Sequence, residues 1–406
     1  MSAVTDEIPA AAAGPLAGLR VLDASQMLAG PICAMRLADL GADVIKVEPP
    51  GHGEWTRSHG FANAALEGET TAFLGINRNK RSFTVDLKSD EGRELLYELV
   101  RTSDVFLQNY RVGTAARLGV DYETLAAINP RLVYCSITGF GETGPAAARP
   151  GQDLVVQAYS GSMWSVGGAD TAPQPGALWA VDVMTGYQAA IGIMSALWHR
   201  ESSGQGQKVA VDMLSTVMDC QCQELATHLN LQILPERSAE PLAHAWVNAP
   251  YGAYPTKDGW IVLAMAPVDK VGIAIEDPVL QAMTSWDDGH THRDEIYRRV
   301  HRAMPARTTA EWIEAFDAVN VWVGEVYDYE RLCTDEQVVA RELIVTVDHP
   351  TIGPLRLTGI PIELSDTPAS VRTPPPLLGQ HTEEILRGVL DHDTHAIDGL
   401  RARGVI

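Results

Sequence analysis

The 406-residue sequence has few basic residues, few cysteines and no long apolar run. Its 31 lysines and arginines are outnumbered by 52 aspartates and glutamates, which gives a formal net charge of −21. A chain this acidic is a poor match for nucleic acid, although an anionic ligand needs only a local basic patch. No uninterrupted apolar run reaches the roughly 18 residues that a membrane span requires, so we expect no membrane partner.

The cysteines exclude a disulfide framework. Five of them are scattered along the chain, and without a recognisable signal peptide they predict reduced, buried thiols in a cytoplasmic protein. Cys220 and Cys222 are two positions apart on a predicted helix and therefore point to different faces. The histidines are also scattered, so we expect no metal site.

Two common catalytic signatures are missing as well. The first predicted strand is followed by Ala24-Ser-Gln-Met-Leu-Ala-Gly30, which lacks the G-x-G-x-x-G of a dinucleotide site. Glu48 nevertheless ends the next strand, where such a site places its ribose-binding acid. Gly161-Ser162 lacks the G-x-S-x-G nucleophile elbow. Neither NAD chemistry nor serine chemistry fits this sequence.

What the sequence does contain is a regular alternation of strand and helix patterns. Strands are predicted at 19–24, 43–48, 82–87, 105–108, 132–137 and 207–213. Helices are predicted at 32–40, 89–102, 122–128, 185–198 and 214–230. This alternation is the signature of a doubly wound α/β layer.

The second half of the chain has a different character. A proline-rich stretch at 234–250 indicates a boundary, and residues 253–264 predict a hairpin with an Asp258-Gly259 turn. Strand patterns return at 343–364, before a last helix. We therefore predict a large α/β domain over 14–230, a smaller inserted α+β domain over 231–340, and a return to the large domain over 341–406.

The most informative carboxylate is Asp182. It lies between a short apolar run and a small-residue helical pattern, and it is the one side chain of the stretch 176–198 expected to be charged at neutral pH. A carboxylate at this position is either an N-terminal helix cap or a partly desolvated nucleophile able to form an acyl intermediate.

A second carboxylate, Asp153, follows Gly151-Gln152 about 30 residues before Asp182. It is either another helix cap or a neighbour that adjusts the pKa of Asp182 or relays a proton. The sequence alone does not separate these alternatives.

A short basic run precedes the third predicted strand: Arg78, Lys80 and Arg81 occupy three of four positions. It is either a solvated loop or a phosphate clamp, because Arg presents a fork and Lys a point charge to phosphate oxygens. Asn109 and Arg117 follow the next strand and are candidates for the same patch.

Several motifs in order resemble the class III CoA-transferase family, which includes formyl-CoA transferases, carnitine CoA-transferases and α-methylacyl-CoA racemase. The matching segments span about residues 14–390. They are Leu16-Ala-Gly-Leu-Arg-Val-Leu-Asp23, Ala29-Gly-Pro31, Leu40-Gly-Ala-Asp-Val-Ile-Lys-Val-Glu-Pro49, Asn79-Lys-Arg-Ser82, Gly139-Phe-Gly141, Asp258-Gly259 and Leu378-Gly-Gln-His-Thr382.

The resemblance implies an interlocked homodimer whose chains each have a Rossmann-like large domain and a smaller one. It also implies that Asp182 attacks an acyl-CoA thioester, which gives a mixed anhydride and then an enzyme–CoA thioester. CoA would be a substrate rather than a permanently bound cofactor, and a free carboxylic acid would be its second partner. The residues that would hold CoA are Gln26, Ala29, Arg78, Lys80, Arg81, Asn109, Arg117, Gly139 and Phe140.

Two departures from the family patterns narrow the activity. A racemase of this family carries Gly-His-Asp where this chain has Gly151-Gln152-Asp153, and glutamine cannot exchange a proton on carbon. The glycine run of formyl-CoA transferases is replaced by Asn248-Ala-Pro-Tyr-Gly-Ala253. This argues against formate and oxalate and favours larger acyl groups, including short dicarboxylic acids.

The sequence therefore predicts an acyl-CoA:carboxylate CoA-transferase that uses Asp182, with Asp153 and Gln152 as further candidate catalytic residues. Two alternatives stay open. One is an acyl-CoA epimerase that uses Asp153 or Asp182 as its acid–base group. The other is a CoA-binding protein without turnover, in which Asp182 is only a helix cap.

Overall fold

The computed structural model describes residues 14–406. The alanine-rich leader before Gly14 lies outside these residues. In the described part of the chain the strands are β1 (Arg20–Asp23), β2 (Asp43–Glu48), β3 (Ala65–Leu66), β4 (Glu69–Thr70), β5 (Lys80–Thr84), β6 (Val105–Gln108), β7 (Val133–Thr138), β8 (Lys208–Asp212), β9 (Gly252–Pro255), β10 (Trp260–Leu263), β11 (Val323–Glu325), β12 (Ile344–His349) and β13 (Gly353–Thr358).

The α-helices of the same residues are α1 (Ala29–Asp39), α2 (Thr71–Leu74), α3 (Asp90–Arg101), α4 (Thr114–Leu118), α5 (Tyr122–Ile128), α6 (Asp153–Ser160), α7 (Ala180–Ser203), α8 (Met213–Cys220), α9 (Cys222–Leu231), α10 (Val268–Ala274), α11 (Pro278–Gln281), α12 (Asp288–Thr291), α13 (Arg293–Ala303), α14 (Thr309–Asp317), α15 (Tyr329–Thr334), α16 (Glu336–Ala340), α17 (Thr382–Gly388) and α18 (Thr394–Ala402). Short 3-10 helices cover Trp55–Arg57, Phe61–Asn63, Ser162–Ser165 and Met304–Ala306.

The described chain divides into two compact units. The first comprises the residues up to Asp153, Trp179–Thr216 and Glu336–Ile406, and the second comprises Leu154–Leu178 and Val217–Asp335. The domain boundaries predicted from the sequence instead place residues 154–178 and 217–230 in the large domain. A helical pattern shows that a segment has an apolar face, but it does not show which core receives that face.

The first unit contains a sheet of six parallel strands in the order β5-β2-β1-β6-β7-β8. Numbered among themselves, these strands run 3-2-1-4-5-6, the order of a doubly wound dinucleotide-type sheet. The predicted mixed α/β architecture with a large parallel sheet is thus confirmed. Two small antiparallel pairs, β3-β4 and β12-β13, accompany the sheet.

Alternate side chains of these strands fill two apolar cores. Leu22, Ile45 and Phe106 belong to one buried cluster, with residues of α3, α5, α17 and α18. The neighbouring Val21 and Val105 belong to a second cluster, with residues of α1 and α7. Because the central strands β1 and β6 are covered on both faces, adjacent apolar residues such as Val21-Leu22 and Val105-Phe106-Leu107 are buried in opposite cores.

Helix α7 belongs to the second of these cores. A Cβ at Gly186 would lie 2.6 Å from the carbonyl oxygen of Ala29 and 2.4 Å from Cγ2 of Ile32, so glycine permits the close approach of α7 to the start of α1. Among the described helices, α7 is the one whose length and composition would suffice to cross a membrane. Ala189, Ile193 and Ala196 pack into the second core of the unit, which is how a core helix of this composition behaves.

The second unit has its own apolar core beneath a small antiparallel sheet in the order β11-β10-β9. The predicted hairpin is confirmed, because β9 pairs with β10 in antiparallel register across the Asp258-Gly259 turn. The long helix predicted at 214–230 is wrong in one respect. Gln221, with φ −102° and ψ 25°, leaves helical geometry and separates α8 from α9. No proline or glycine marks that break in the sequence.

Candidate functional site

A cleft of about 380 Å³ opens at the carboxyl ends of the central strands of the first unit. Its walls include Gln26 after β1, Glu48 at the end of β2, Asp86 after β5 and Tyr110 after β6. Strand order reverses between β1 and β6, because β2 and β5 lie on one side of β1 and β7 and β8 on the other side of β6. Ligands of open α/β sheets bind at such a switch point.

Two predicted ligand-binding residues meet at this edge of the sheet. The backbone N–H of Gln26 donates to Oδ1 of Asn109 at 2.9 Å, and the Asn109 amide donates back to the Gln26 carbonyl at 2.7 Å. The two residues follow neighbouring strands, so the amide fixes the β1–α1 turn. Ala29, another predicted residue, begins α1 three positions later.

Asp182 lies in the first turn of α7, and no side chain of its own segment caps this helix. Trp179 occupies the N-cap position without a side-chain hydrogen bond. The backbone N–H of Asp182 donates instead to Oδ2 of Asp153 at 3.1 Å. Asp153 thus provides the cap from 29 residues away, and its side chain is completely buried. Asp182 itself is half-buried and its carboxylate is not the cap.

The electrostatic surroundings make Asp182 an unusual carboxyl. Burial and the neighbouring charge of Asp153 raise its pKa from the ordinary 3.8 to about 7. No described cation forms a salt bridge with it, in contrast to many other acidic residues of the first unit. A titratable group with a strongly shifted pKa at the start of a helix is a candidate for chemistry.

The loop after β7 reaches the same region. A Cβ at Gly139 would lie 2.4 Å from Cα of Gly151, so the two backbones touch and both positions require glycine. Phe140 is buried, with the guanidinium of Arg149 5.8 Å from its ring centroid. Gln152 is exposed, immediately before the buried Asp153.

The structure places Arg78 and Lys80 in buried ion pairs, which differs from the predicted phosphate clamp. Arg78 is 1% exposed and its guanidinium donates to both carboxylate oxygens of Asp39, at 2.9 and 2.8 Å. Lys80 is also 1% exposed, and its ammonium donates to Asp23 at 2.9 Å and to Asn77 at 2.8 Å. Both cations compensate internal carboxylates, so in this structure neither presents a charge to an external phosphate.

The other predicted cations lie closer to solvent. Arg81 donates to Asp43 and to Glu384, so its guanidinium donors are already hydrogen-bonded to carboxylates as well. Arg117 is exposed on α4 and donates to Thr114 at 2.9 Å. Lys88, which the sequence analysis did not single out, is exposed and lines the cleft.

The cleft also has an aromatic wall that was not predicted from the sequence. Trp55 and His59 both line it, and their rings are stacked with centroids 4.4 Å apart and an interplanar angle of 7°. They lie in Gly53-Glu-Trp-Thr-Arg-Ser-His59, where closely spaced aromatic and polar residues without strand or helix periodicity are the one available signal. Arg57 anchors this segment through bonds of 2.7 and 2.8 Å to Glu48.

The cysteines depart in part from their prediction. Cys33 and Cys135 are buried free thiols as expected, but Cys220, Cys222 and Cys333 are exposed. All three lie on helices of the second unit, namely α8, α9 and α15. Within residues 14–406 no group of three or more His, Cys, Asp or Glu side chains is arranged to hold a metal ion.

The sheet and its cleft define an α/β protein that binds a ligand at the switch point, and the aspartate with a raised pKa at the start of α7 is a candidate nucleophile. The family model described as CoA-transferase family III matches residues 16–382. The chain therefore belongs to that family, and it is an enzyme of the class III CoA-transferases, as the sequence motifs indicated.

Individual relatives are similar over almost their whole length. The mouse protein named succinyl-CoA:glutarate CoA-transferase is 36% identical over 400 residues, which cover 97% of this chain and 90% of that protein. A Streptomyces coelicolor protein named formyl-CoA:oxalate CoA-transferase is 34% identical, with 96% and 99% covered. The crystal structure of a CAIB/BAIF family protein from Brucella suis superposes with a TM-score of 0.81 at 32% identity, covering 93% of this chain and all of that one.

Proposed function

We propose that the protein transfers CoA from an acyl-CoA to a free carboxylic acid, with Asp182 as the nucleophile. The observation that carries the proposal is the half-buried Asp182 carboxyl at the start of α7, which has Asp153 as a neighbour and no described salt-bridge partner. A carboxylate that is costly to keep charged gains more from forming an acyl bond than a stabilised one does. Membership of the CoA-transferase family supports the same assignment.

The proposed reaction proceeds through two covalent enzyme species. The Asp182 carboxylate attacks the thioester carbonyl carbon, the C–S bond breaks, and an aspartyl–acyl anhydride and CoA thiolate form. The thiolate then attacks the Asp182 carbonyl, which releases the donor acid and leaves an aspartyl–CoA thioester. The acceptor carboxylate repeats these steps in reverse order and leaves as the new acyl-CoA, which restores the carboxylate of Asp182.

The start of α7 suits this chemistry. Negative charge develops on the carbonyl oxygen in every step, and the N-terminal end of a helix carries a partial positive charge and unpaired backbone N–H groups. Asp153 already accepts the N–H of Asp182, which orients the first turn. Its fixed negative charge also disfavours the ionised state of Asp182, so we propose that Asp153 adjusts the nucleophile rather than attacking substrate.

We further propose that CoA occupies the cleft at the carboxyl ends of β1, β2, β5 and β6. The Gln26-to-Ala29 turn, which Asn109 fixes, would face the thioester, and Gly139 and Phe140 would form the adjacent wall. Lys88 in the cleft and Arg117 on α4 are the exposed cations that support phosphate binding here. They take the place of Arg78 and Lys80 in the proposal.

For the substrates we propose short or dicarboxylic acids. Relatives of this chain are named for succinate, glutarate and oxalate, all dicarboxylic acids. The sequence departure at Asn248–Ala253 still argues against oxalate.

We also propose that the protein is a homodimer. The proposal is supported by the exposed apolar side chains of Ile191, Met194 and Trp198 on α7. Light scattering that gives a monomer mass at micromolar concentration would contradict it.

The test is mass spectrometry of CoA species in heavy water, with several acyl-CoAs and a pool of free carboxylates. We expect new thioesters with the wild type and with Asp170→Asn, a matched change at an exposed aspartate, and none with Asp182→Ala. Deuterium at the α-carbon of an unchanged thioester would favour the epimerase instead. Bound CoA with neither signal would favour the binding protein without turnover.

A further inference from the structure

One exposed segment links the cleft to the helix that carries Asp182. Residues 58–68, called here the 58–68 loop, leave the fold after the 3-10 helix Trp55–Arg57 and return at β4. Their base is fixed, because Arg57 binds Glu48 and Glu69, and the Thr70 hydroxyl donates to the Thr56 carbonyl. Beyond that base, every residue from Phe61 to Gly68 is exposed.

The exposed part of this loop has a specific conformation rather than a relaxed one. Ala62, Asn63 and Glu67 have positive φ values of 51°, 54° and 47°, a region that side-chain-bearing residues adopt at an energetic cost. Phe61 is 57% exposed, a poor position for a large apolar ring unless the ring has a use.

The ring of Phe61 lies on Trp179. The two centroids are 5.7 Å apart and the planes are inclined by 13°, a stacked arrangement. Trp179 is the N-cap residue of α7; its own side chain makes no capping hydrogen bond, and its carbonyl accepts the N–H of Val183 at 3.0 Å. Asp182 lies in the turn that this bond closes.

Two long-range contacts therefore hold the first turn of α7. One is the Asp153 carboxylate on the N–H of Asp182, and the other is the Phe61 ring on Trp179. The opposite end of the 58–68 loop belongs to the cleft, since Ser58 and His59 line it and His59 stacks on Trp55. A molecule that contacts these cleft residues thus touches the segment that supports the nucleophile helix.

We propose that Phe61 is a positioning residue of the transfer reaction, which holds Trp179 so that the Asp182 carboxylate keeps its place and its shielding from water. The inference rests on the proposed function of Asp182 as nucleophile. It requires no contact between Phe61 and substrate. A misplacement of about 1 Å in a reacting group costs on the order of 100-fold in rate. A ring that positions the Asp182 carboxylate without touching substrate therefore has a measurable effect on the rate.

The first experiment compares Phe61→Ala, Phe61→Trp and a matched control, Leu66→Ala, which removes another exposed apolar side chain of the same loop. We expect Phe61→Ala to lower kcat by about 10- to 100-fold while the Kd for free CoA, measured by calorimetry, changes by less than about twofold. Phe61→Trp restores stacking and should recover most of kcat. Leu66→Ala should resemble the wild type.

The pH profile separates positioning from loss of folded enzyme. Burial is the main cause of the raised pKa of Asp182, so admitting water beside Trp179 should move the acid limb of kcat/KM to lower pH in Phe61→Ala and not in Phe61→Trp. A merely structural defect would reduce the rate equally at every pH. An unshifted limb, or an equal loss in Leu66→Ala, would overturn the proposal.

Hydrogen exchange gives a readout that needs no turnover. The peptide over 179–187 contains the N–H of Val183, whose bond to the Trp179 carbonyl closes the first turn. We expect faster exchange there in Phe61→Ala than in the wild type or Leu66→Ala. If this result appears while the wild type transfers no CoA, the proposed function fails and the structural support by Phe61 stands. If exchange is unchanged, Phe61 does not hold the helix.

Discussion

Asp23 and Asp182 are both withdrawn from water in the first unit, but their surroundings push their pKa values in opposite directions. Burial alone would raise the pKa of Asp23, but the ammonium groups of Lys46 and Lys80, 3.7 and 2.9 Å away, lower it to about 2. Asp182 has a carboxylate as its neighbour, and its pKa rises to about 7. Burial raises the pKa of both carboxyls; around Asp23 two cations and their hydrogen bonds outweigh it, whereas at Asp182 no such cation opposes it and Asp153 adds to it.

The same contrast explains where the cations of the chain are used. Lys46, Lys80 and Arg78 are completely buried against carboxylates, so they stabilise the interior around the sheet instead of binding an external anion. Asp182, at the start of α7, is a different case, because its carboxyl has a raised pKa and forms no described salt bridge. Ion pairs of the first kind are structural, whereas a carboxyl with a strongly shifted pKa is a candidate for a functional site.

The largest effect on stability should come from removing the charge of Asp23. Asp23→Asn keeps an acceptor for the Ser25 backbone N–H but removes the charge that forms salt bridges with two buried ammonium groups, which costs about 3–5 kcal/mol in the free energy of unfolding. Urea unfolding at neutral pH measures this loss. Because the folded pKa of Asp23 lies below its unfolded value, the difference from the wild type should shrink as pH falls from about 4 towards 2.

Asp170→Asn provides the matched control for that experiment. Asp170 is exposed in the second unit, and a surface change of this kind stays within about 0.5 kcal/mol. A similarly small change in Asp23→Asn would contradict the view that the buried carboxylate compensates Lys46 and Lys80.

A smaller effect is expected when the negative neighbour of Asp182 is neutralised. Asp153→Asn retains an oxygen that accepts the Asp182 N–H but removes the like charge, so the pKa of Asp182 should fall from about 7. The acid limb of kcat/KM should therefore move down by roughly one pH unit, since only one of the two causes is removed.

Asp153→Ala, which loses both the charge and the acceptor, is the companion variant. It should shift the limb in the same direction and in addition lower kcat, because the first turn of α7 loses its cap. A limb that stays in place in Asp153→Asn would mean that burial alone sets the pKa of Asp182.

The sequence predicts the sheet well because strand and helix periodicities are local properties. The bounds of β2 and β6 coincide with the predicted 43–48 and 105–108, and the hairpin follows from its Asp258-Gly259 turn. The break at Gln221 carries no such local signal. The assignment of helices to the two units also cannot be predicted from periodicity, because it depends on which core the apolar face of a helix packs against.

The ion-pair partners of buried side chains also cannot be predicted from local sequence patterns. The sequence shows that Arg78 and Lys80 are cations, but their carboxylates are 39 and 57 residues away and become neighbours only when the sheet forms. Asp153 and Asp182 were candidates for pairing, and the structure resolves the form of that pairing as a carboxylate on a backbone N–H. Residue type thus identified the groups, and folding determined their partners.

The smallest expected effect is also the sharpest test of the comparison, because its sign is opposite to that of Asp23→Asn. Asp182 has a folded pKa of about 7 and an unfolded value near 3.8, so the folded state retains its proton more strongly and stability falls as pH rises through this window. Asp182→Asn removes that cost. The variant should gain about 1 kcal/mol over the wild type at pH 8, after discounting for solvent screening of a half-buried group, and little at pH 4. Thermal unfolding at the two pH values measures the gain, and a loss of stability at pH 8 would show that the Asp182 carboxylate is held by a favourable partner.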